Sequence, residues 1–491
     1  MASKSILLLG GTVLQHDQSG QIQVLQKTDI LIRGQKIAKI GRGLQSQLSG
    51  EDVEILDCTD QIVTPGFIDT HHHCWQTQLR GRYSDDTLLD YLTPGMMQSY
   101  NFSPEDIFWG QLSGGLECID AGTTFIVDHM HASYSPDHAT RALEASETSG
   151  LRSIYAYAIP FRLRRWTKTV AEVEEDLLPE WALNQIEDLA KAGPRADGRI
   201  HIGLAFDFYF LPQEVLKSVF HRARTAGVKL ITSHAANNAV LGSQSVAKIL
   251  KESGLIGPDI IISHGNNYSD EDYEIFTHAG VHISSTPDTE CQMGMGWPVA
   301  LRPDVQGTIG VDSSALTSTS LLHQARALLQ MARQQTNQAL LDRGRFPKTL
   351  RSSTNEVFNM MTISGARAVG LADQIGSIAE GKLADLLVFD TRSSNMVPAA
   401  KWDPVAAVVR HSDVRDLRTV IVDGIVRKKD GKLLPVRLGD GPSLSWEDVA
   451  AKVNTSYDSI EERAAQTSIP VGRKALVDAW HIDESKLETV V

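Results

Sequence analysis

The sequence predicts an α/β protein: a (β/α)8 barrel of the TIM type joined to a small composite β-sandwich domain built from the two ends of the chain. Eight short apolar, β-rich runs alternate with helical patterns through the middle of the sequence, and glycine-punctuated strands occur near both termini. Such alternation is typical of parallel barrels, whose strands are connected by helices.

The terminal strands form the first part of the argument. Residues 1–61 contain β-rich pieces broken by glycine turns, for example 6–14 and 29–41, and a matching pattern returns at 381–390 and 419–427. A few strands cannot bury a core unaided, so the two groups are expected to pack together as one domain. The middle of the chain is then an insertion between its halves.

That middle region supplies the barrel. Its eight expected strands are 62–70, 123–127, 152–158, 200–205, 228–232, 260–263, 281–285 and 308–311. Helical patterns lie between them, as at 212–225, and one follows the last strand at 321–335. The expected domains are an N-terminal β segment (1–61), the barrel (62–375), a C-terminal β segment (376–440) and a helical extension (441–491).

Composition indicates an acidic, soluble enzyme. The 491 residues carry a formal net charge of −13, which argues against nucleic acid as a partner because phosphate binding needs clustered positive charge. The cysteines form no CxxC pair, so their spacing predicts neither a disulfide framework nor a thiolate zinc site. No apolar run approaches the roughly 18 residues of a membrane span. We expect a cytoplasmic protein without a membrane partner.

Three consecutive histidines, residues 71–73, follow the turn at Pro65-Gly66. Side chains at i and i+2 of a strand share a face, so His71 and His73 are expected to point together, as a pair of metal ligands would. A solvated loop or a fragment of an affinity tag is the alternative reading. An internal position after a turn and an apolar stretch is not where tags lie.

Further metal-capable side chains end later strands: His234 ends strand 5, His264 strand 6 and Asp312 strand 8. Barrel enzymes carry their chemistry at the carboxyl ends of the strands, so these residues are expected on one face. A lone histidine after a strand is more often a hydrogen-bonded core residue. Four histidines and an aspartate on the same face predict a metal site.

Several motifs resemble the amidohydrolase superfamily, in particular its cytosine-deaminase and triazine-chlorohydrolase (TRZ/ATZ-like) branch. They are Pro-Gly-Phe-Ile-Asp-Thr-His-His-His at 65–73, Leu-Arg-Gly at 79–81, Gly-Thr-Thr at 122–124, the ends of strands 5, 6 and 8, and the segment 376–386. The resemblance implies a metal-dependent hydrolase of non-peptide C–N bonds, with a barrel that carries a composite β domain. It also implies a homo-oligomer, a dimer or larger.

Carried over by position, the resemblance makes His71, His73, His234 and Asp312 the metal ligands. It makes His264 a catalytic group that polarises the substrate or contacts the metal-bound water. Three nitrogens and one carboxylate with an open position suit catalytic Zn²⁺, with Fe²⁺ and Mn²⁺ as alternatives. In this scheme Asp312 is both ligand and general base.

Two positions decide how far the resemblance reaches. Relatives with two metals use a carbamylated lysine at the end of strand 4, and residues 203–207 contain none, so one divalent ion is expected. Deaminases of this branch carry a glutamate three residues after the strand 5 histidine, where this chain has Asn237. An amide cannot shuttle a proton. Asp288 or Glu290, after strand 7, could replace that glutamate, and loop capping is the alternative role for both.

Large apolar and polarisable side chains also follow barrel strands, and such side chains line adaptable, aromatic-binding cavities or pack the loops. The segment 128–131, after strand 2, is a further candidate for lining the site. The expected substrate-binding residues are Trp75, Asn237, Glu290, Met293 and Trp297.

The expected function is hydrolysis, by a metal-activated water, of a non-peptide C–N bond in a cyclic or aromatic small molecule. One alternative uses the same metal site for another leaving group, such as chloride, or for a hydratase or lyase reaction. A second alternative is a non-catalytic scaffold descended from such enzymes. That scaffold would show damaged ligand positions, whereas all of them are intact here.

Overall fold

The computed structural model describes residues 5–17 and 19–489. The strands are β1 Ser5–His16, β2 Ile22–Arg33, β3 Lys36–Gly41, β4 Val53–Asp57, β5 Gln61–Pro65, β6 Phe67–His72, β7 Thr123–Met130, β8 Arg152–Ala158, β9 Leu163–Trp166, β10 Ala171–Val173, β11 Ile200–Ala205, β12 Ile231–Ala235, β13 Ile260–His264, β14 His282–Ser285, β15 Gln306–Ile309, β16 Leu386–Asp390, β17 Leu417–Val422, β18 Ile425–Lys429, β19 Lys432–Leu433, β20 Val436–Arg437 and β21 Ser443–Leu444.

The helices mostly follow the barrel strands, as a β/α repeat requires. They are α1 Leu88–Leu92, α2 Pro104–Asp120, α3 Pro136–Ser149, α4 Glu180–Lys191, α5 Gln213–Ala226, α6 Val246–Glu252, α7 Asp270–His278, α8 Pro287–Gln292, α9 Leu321–Leu341, α10 Thr354–Asn359, α11 Gly365–Ala368, α12 Ala399–Trp402, α13 Pro404–Ala406, α14 Trp446–Ala464 and α15 Ile469–Trp480.

The predicted barrel is confirmed. Eight parallel strands pair in the order β15-β14-β13-β12-β11-β8-β7-β6. An isolated parallel bridge between His72 and Asp312 joins the two edges of that sheet. There the His73 amide donates to the carbonyl of Asp312 at 2.7 Å, and the Asp312 amide donates to the carbonyl of His71 at 2.9 Å. The seam that closes the barrel therefore brings the first and last predicted metal-binding segments together.

The first predicted strand, 62–70, is two strands in the structure. Residues Gln61–Pro65 (β5) pair with β1 and β16 in the terminal sheet, whereas Phe67–His72 (β6) pairs with β7 in the barrel. Gly66 separates them, and a Cβ at that position would lie 2.0 Å from Oγ1 of Thr124. Glycine is required there because strand β7 approaches so closely.

The predicted composite domain is confirmed as one sheet of nine strands from both ends of the chain. Its order is β19-β18-β17-β16-β5-β1-β2-β3, with β4 paired to β1. A buried ion network ties this sheet to the barrel: the guanidinium of Arg152, at the start of β8, donates to Asp385 at 2.9 Å and to Asp423 at 2.6 Å. Breaking such a buried pair leaves an uncompensated charge, so this network fixes the junction.

The C-terminal helices pack on the barrel beside α2. Ser456 of α14 donates to Asp106 at 2.6 Å and accepts from the Gln78 amide at 3.0 Å. Trp166, on the β9–β10 hairpin that the sequence analysis does not predict, donates to the carbonyl of Ser468 at 3.0 Å, just before α15. Within the described residues, none of the helices combines the length and apolar character needed to cross a membrane.

Candidate metal centre

Four predicted ligands converge at the carboxyl ends of the barrel strands. Donor atoms of His71, His73, His234 and Asp312 all lie within 4.8 Å of one another. Oδ1 of Asp312 is 3.2 Å from Nε2 of His71 and 3.1 Å from Nε2 of His73. Nε2 of His73 is also 3.1 Å from Nε2 of His234. This is the tetrad that the sequence predicts.

Hydrogen bonds on the far side of each ring fix which nitrogen faces the centre. Nδ1–H of His73 donates to the carbonyl of His129 at 2.6 Å, and Nδ1–H of His234 donates to Asp207 at 2.9 Å. Nδ1 of His71 lies 2.7 Å from the hydroxyl of Ser263. Metal-binding histidines are characteristically oriented by such outer contacts.

The same contacts test whether the site suits a cation. In neutral His73 and His234 the Nδ1 proton is committed, so two Nε2 lone pairs face each other across 3.1 Å beside a carboxylate. Nε2 of His71 is buried without a hydrogen-bond partner. Converging lone pairs of this kind are stabilised by a cation bound between them. Three imidazoles and one carboxylate are a donor set that suits catalytic zinc.

The local electrostatics favour deprotonated ligands. Burial lowers the pKa of His71 well below its ordinary value, which keeps the ring neutral. Burial alone would raise the pKa of Asp312, but its close contacts with the imidazoles of His71 and His73 hold that pKa well below the usual range. Neutral imidazole and ionised carboxylate are the forms that bind metals.

The backbone is strained at one tetrad residue, Asp312, and at the neighbouring His264. His264 has φ of +74° and Asp312 has φ of +73°, a region that residues other than glycine seldom adopt. Beside Asp312, a Cβ on Gly310 would lie 2.7 Å from the carbonyl oxygen of His71. Such strain persists only where surrounding structure enforces it, and it concentrates at functional sites.

Asp207 is a site residue that the sequence analysis overlooks. It follows β11, the fourth barrel strand, and its carboxylate accepts from both the backbone amide (2.8 Å) and Nδ1 (2.9 Å) of His234. His129 lies 3.5 Å from the same carboxylate, and burial lowers its pKa to about 3. The signal was present in the sequence, since Asp207 ends its strand as His234 ends the next one.

His264 lies beside the tetrad with its own supporting contacts. Nδ1 of His264 is 3.0 Å from the hydroxyl of Thr286, and Oε1 of Glu290 is 3.7 Å from that nitrogen. The Thr286 amide donates to the same oxygen of Glu290 at 2.8 Å. Glu290 is fully buried, and burial raises its pKa. Nε2 is therefore the nitrogen of His264 that remains for a substrate.

The remaining predicted residues occupy different environments. Asn237 is half-buried, and its Nδ2 donates to the carbonyl of Asn267 at 3.4 Å. Trp75 is fully buried and donates to Nδ1 of His131, whose ring centroid lies 4.1 Å from that of His73. Met293 is buried, whereas Trp297 is 49% exposed.

Asp288, the other acidic candidate after strand 7, binds away from the tetrad. Its carboxylate accepts from the hydroxyl of Thr317 at 2.7 Å and lies 2.8 Å from Nε2 of His323. These contacts hold the loop that follows β15 and leave Glu290 as the acidic side chain nearer His264.

The sequence profile of the amidohydrolase family matches residues 62–426, most of the chain. The chain belongs to the amidohydrolase family. The predicted resemblance is thereby confirmed, as is the predicted class of metal-dependent hydrolase acting on carbon–nitrogen bonds.

Two curated relatives of this amidohydrolase are deaminases. The 5-methylthioadenosine/S-adenosylhomocysteine deaminase of Pyrococcus abyssi is 28% identical over 456 residues, covering 89% of this chain and 96% of the relative. The 5'-deoxyadenosine deaminase of Methanobrevibacter smithii is 28% identical over 450 residues, covering 89% and 94%.

Solved structures share the fold of this amidohydrolase. An adenosine deaminase from Xanthomonas campestris with bound zinc matches with a TM-score of 0.77 at 18% identity, covering 94% of this chain and 99% of that one. Atrazine chlorohydrolase from Arthrobacter aurescens TC1, complexed with zinc, matches with a TM-score of 0.74 at 19% identity, covering 92% and 100%.

Proposed function

We propose that this amidohydrolase binds one divalent ion, zinc in preference to iron or manganese, and hydrolyses an exocyclic C–N bond of a nitrogen-containing heteroaromatic ring. His71, His73, His234 and Asp312 would hold the ion. The facing Nε2 lone pairs of His73 and His234, 3.1 Å apart, are the observation that carries the proposal. The deaminase names of the curated relatives support an amino group as the leaving group.

Each side chain then has a defined task. A divalent ion held by these four side chains would lower the pKa of a water molecule, so that a nucleophile would be available near neutral pH. Asp312 accepts a proton as the water oxygen attacks the ring carbon, and it returns a proton to the departing nitrogen. His264 donates from Nε2 to the ring atom on which negative charge develops.

Deaminases of this branch carry a glutamate where this chain has Asn237. In this proposal Glu290 performs the task of that glutamate. Thr286 and Glu290 lie against Nδ1 of His264, and burial raises the pKa of the Glu290 carboxyl, so this group holds its proton to a higher pH than an exposed glutamate does. The ring proton of a deaminase substrate is then supplied through His264. Asn237 itself serves only as a hydrogen-bonding group to the substrate.

A second candidate keeps the metal site and changes the leaving group to one that needs no proton, such as chloride. Asn237 favours it, because an amide at this position cannot protonate a ring nitrogen or a departing amine. The two candidates differ in their products, ammonia or halide, and in their need for Glu290.

The test is product analysis on the zinc-reconstituted enzyme with paired aminated and chlorinated purines, pyrimidines and triazines. We expect ammonia release that Asp312→Asn abolishes and that Glu290→Gln lowers at least tenfold, within the range of general acid catalysis. Asp288→Asn is the matched control and should retain activity. Halide release insensitive to Glu290→Gln would establish the second candidate, and neither product from any substrate would contradict both.

Asn237→Glu provides a gain-of-function test of the same proposal. Because it places a carboxyl where relatives of this branch carry one, we expect faster ammonia release and a reduced effect of Glu290→Gln in the double variant. An Asn237→Gln variant separates the effect of the proton from the effect of side-chain length.

Several finer assignments belong to the same proposal. Trp297, Met293 and Trp75 would shape the substrate cavity, Trp75 by supporting His131. The domain limits at 375/376 and 440/441 and a homo-oligomeric state complete it, the latter measurable by light scattering. The first limit moves from 61/62 to Gly66, because β5 pairs in the terminal sheet. A cytoplasmic location is supported by the four free cysteines.

A further inference from the structure

A second cluster of metal-ligating side chains lies behind strand β6, on the opposite side from the tetrad. It consists of His72, Cys74 and Cys118, whose donor atoms all lie within 4.8 Å of one another. Alternation along the strand explains the arrangement: His71 and His73 face the barrel interior, so His72 faces outward, toward helix α2. All three side chains are fully buried.

The geometry of the cluster fits a metal ion. Nε2 of His72 is 3.7 Å from Sγ of Cys118. Bond lengths of about 2.3 Å to sulfur and about 2.05 Å to nitrogen place those two atoms about 3.6 Å apart in a tetrahedral site and about 3.8 Å apart in a trigonal one. The observed separation lies between these values.

Outer contacts orient His72 as they orient the histidines of the tetrad. Nδ1 of His72 is 3.0 Å from Oδ2 of Asp69. The other oxygen of Asp69 accepts from the amides of His71 at 3.0 Å and Val311 at 3.3 Å, which holds the carboxylate in place. A carboxylate on Nδ1 leaves the Nε2 lone pair directed at the two sulfurs, as in carboxylate–histidine–zinc arrangements.

The backbone holds the two cysteines in fixed positions, although they are distant in sequence. Cys118 lies one turn after Gly114 on α2, and a Cβ at Gly114 would be 2.4 Å from the carbonyl oxygen of Cys74. The helix therefore packs directly against the chain at Cys74, and the Cys74 amide donates to Asp128 at 3.3 Å. Rigid placement of this kind favours metal binding, because little ordering is required when the ion binds.

We propose that His72, Cys74 and Cys118 bind a thiophilic metal ion, zinc or copper(I), in a structural site separate from the tetrad. Two thiolates and one imidazole are the donors that select such ions. The ion joins α2 to the strand whose end carries His71 and His73. Since the cluster is fully buried, the ion enters during folding and is released only by unfolding. In contrast, the side chains of His234 and Asp312 are 20% and 10% exposed.

This difference in access provides the first experiment. Enzyme purified without chelators is dialysed against a chelator under native conditions, and retained metal is measured by mass spectrometry. We expect one equivalent of zinc or copper to remain in the wild type and in His73→Ala, and less than a tenth of an equivalent in Cys118→Ser and Cys74→Ser. Cys58→Ser, which removes a buried cysteine elsewhere, should retain the full equivalent.

Cobalt provides a readout that does not depend on activity. Protein produced with Co²⁺ should show thiolate-to-cobalt charge-transfer absorption in the near ultraviolet. This absorption is specific to the cysteine cluster, because the tetrad contains no sulfur ligand. The band should persist in His73→Ala and disappear in Cys118→Ser. If the folded wild type retains neither copper nor zinc and shows no cobalt band, the proposal is wrong. The proposed hydrolase function would be unaffected by that result.

If a cysteine variant does not fold, measurements on the wild type alone still test the proposal. Wild type that has first been dialysed against a chelator under native conditions should release one equivalent of zinc or copper to a colorimetric indicator when the chain is denatured. No release on denaturation would contradict the proposal.

Discussion

Asp207 allows the outer support of the metal site to be tested quantitatively. Its carboxylate accepts two hydrogen bonds from His234, at 2.8 and 2.9 Å, and is 36% exposed. A hydrogen bond to a charged group contributes about 1.5–3 kcal/mol, and partial exposure favours the lower figure. Only the bond to Nδ1 orients the ring, and its loss, about 1.4 kcal/mol, weakens binding tenfold, which lies at the lower end of the 10–100-fold typical of such outer contacts.

We therefore expect Asp207→Ala to weaken zinc binding at the chelator-accessible site about tenfold. Asp207→Asn should weaken it at least as much, because an amide accepts only one of the two hydrogen bonds and its NH₂ group opposes the Nδ1 proton of His234. The assay is competition with a chromophoric chelator, using protein stripped under native conditions. Asp288→Asn, at a comparable strand end, is the control. Zinc binding by Asp207→Asn within twofold of wild type would refute the reasoning.

Three further predictions concern folding and pH. Arg152→Ala leaves two buried carboxylates unpaired and should lower the free energy of unfolding by about 3–5 kcal/mol, measured by urea denaturation; a loss below 1 kcal/mol would contradict the account of the domain junction. Gly310→Ala forces a methyl group against the backbone of His71 and should cost about 1–3 kcal/mol and reduce zinc binding, whereas Gly41→Ala, with its nearest contact at 3.6 Å, should do neither. Burial raises the pKa of Glu290 in the folded state, so the fold loses stability as pH rises above the pKa of an unfolded glutamate. Glu290→Gln should therefore be more stable than wild type at neutral pH. This difference should vanish on acidification below the pKa of an unfolded glutamate. A difference that stayed constant from acid to neutral pH would exclude that cause.

Two local rules predict from the sequence that the metal-capable residues share one face, whereas the choice of His71, His73, His234 and Asp312 as ligands came from the family resemblance. Alternation along a strand pairs His71 with His73, and the parallel barrel collects the ends of strands 1, 5 and 8 on one face. No long-range detail is needed beyond the order of the strands. The same rules locate His264, although they do not reveal its contacts with Thr286 and Glu290.

Features that depend on packing between distant segments escaped the sequence analysis. Cys74 and Cys118 show no metal-binding spacing, and they meet only because α2 lies against the segment that follows β6. The ion network of Arg152 likewise requires the docked terminal sheet. Trp75 follows a strand end as expected of a pocket residue, yet it is fully buried against Phe102 and His131, so its exposure could not be inferred from position alone.

The most direct test of the central claim is X-ray diffraction from crystals of the zinc-reconstituted enzyme, with anomalous data at the zinc absorption edge. We predict a peak at about 2.0–2.2 Å from Nε2 of His71, His73 and His234 and from Oδ1 of Asp312. No peak at that point, or an ion held instead by His129 and Asp207, would contradict the assignment of the tetrad.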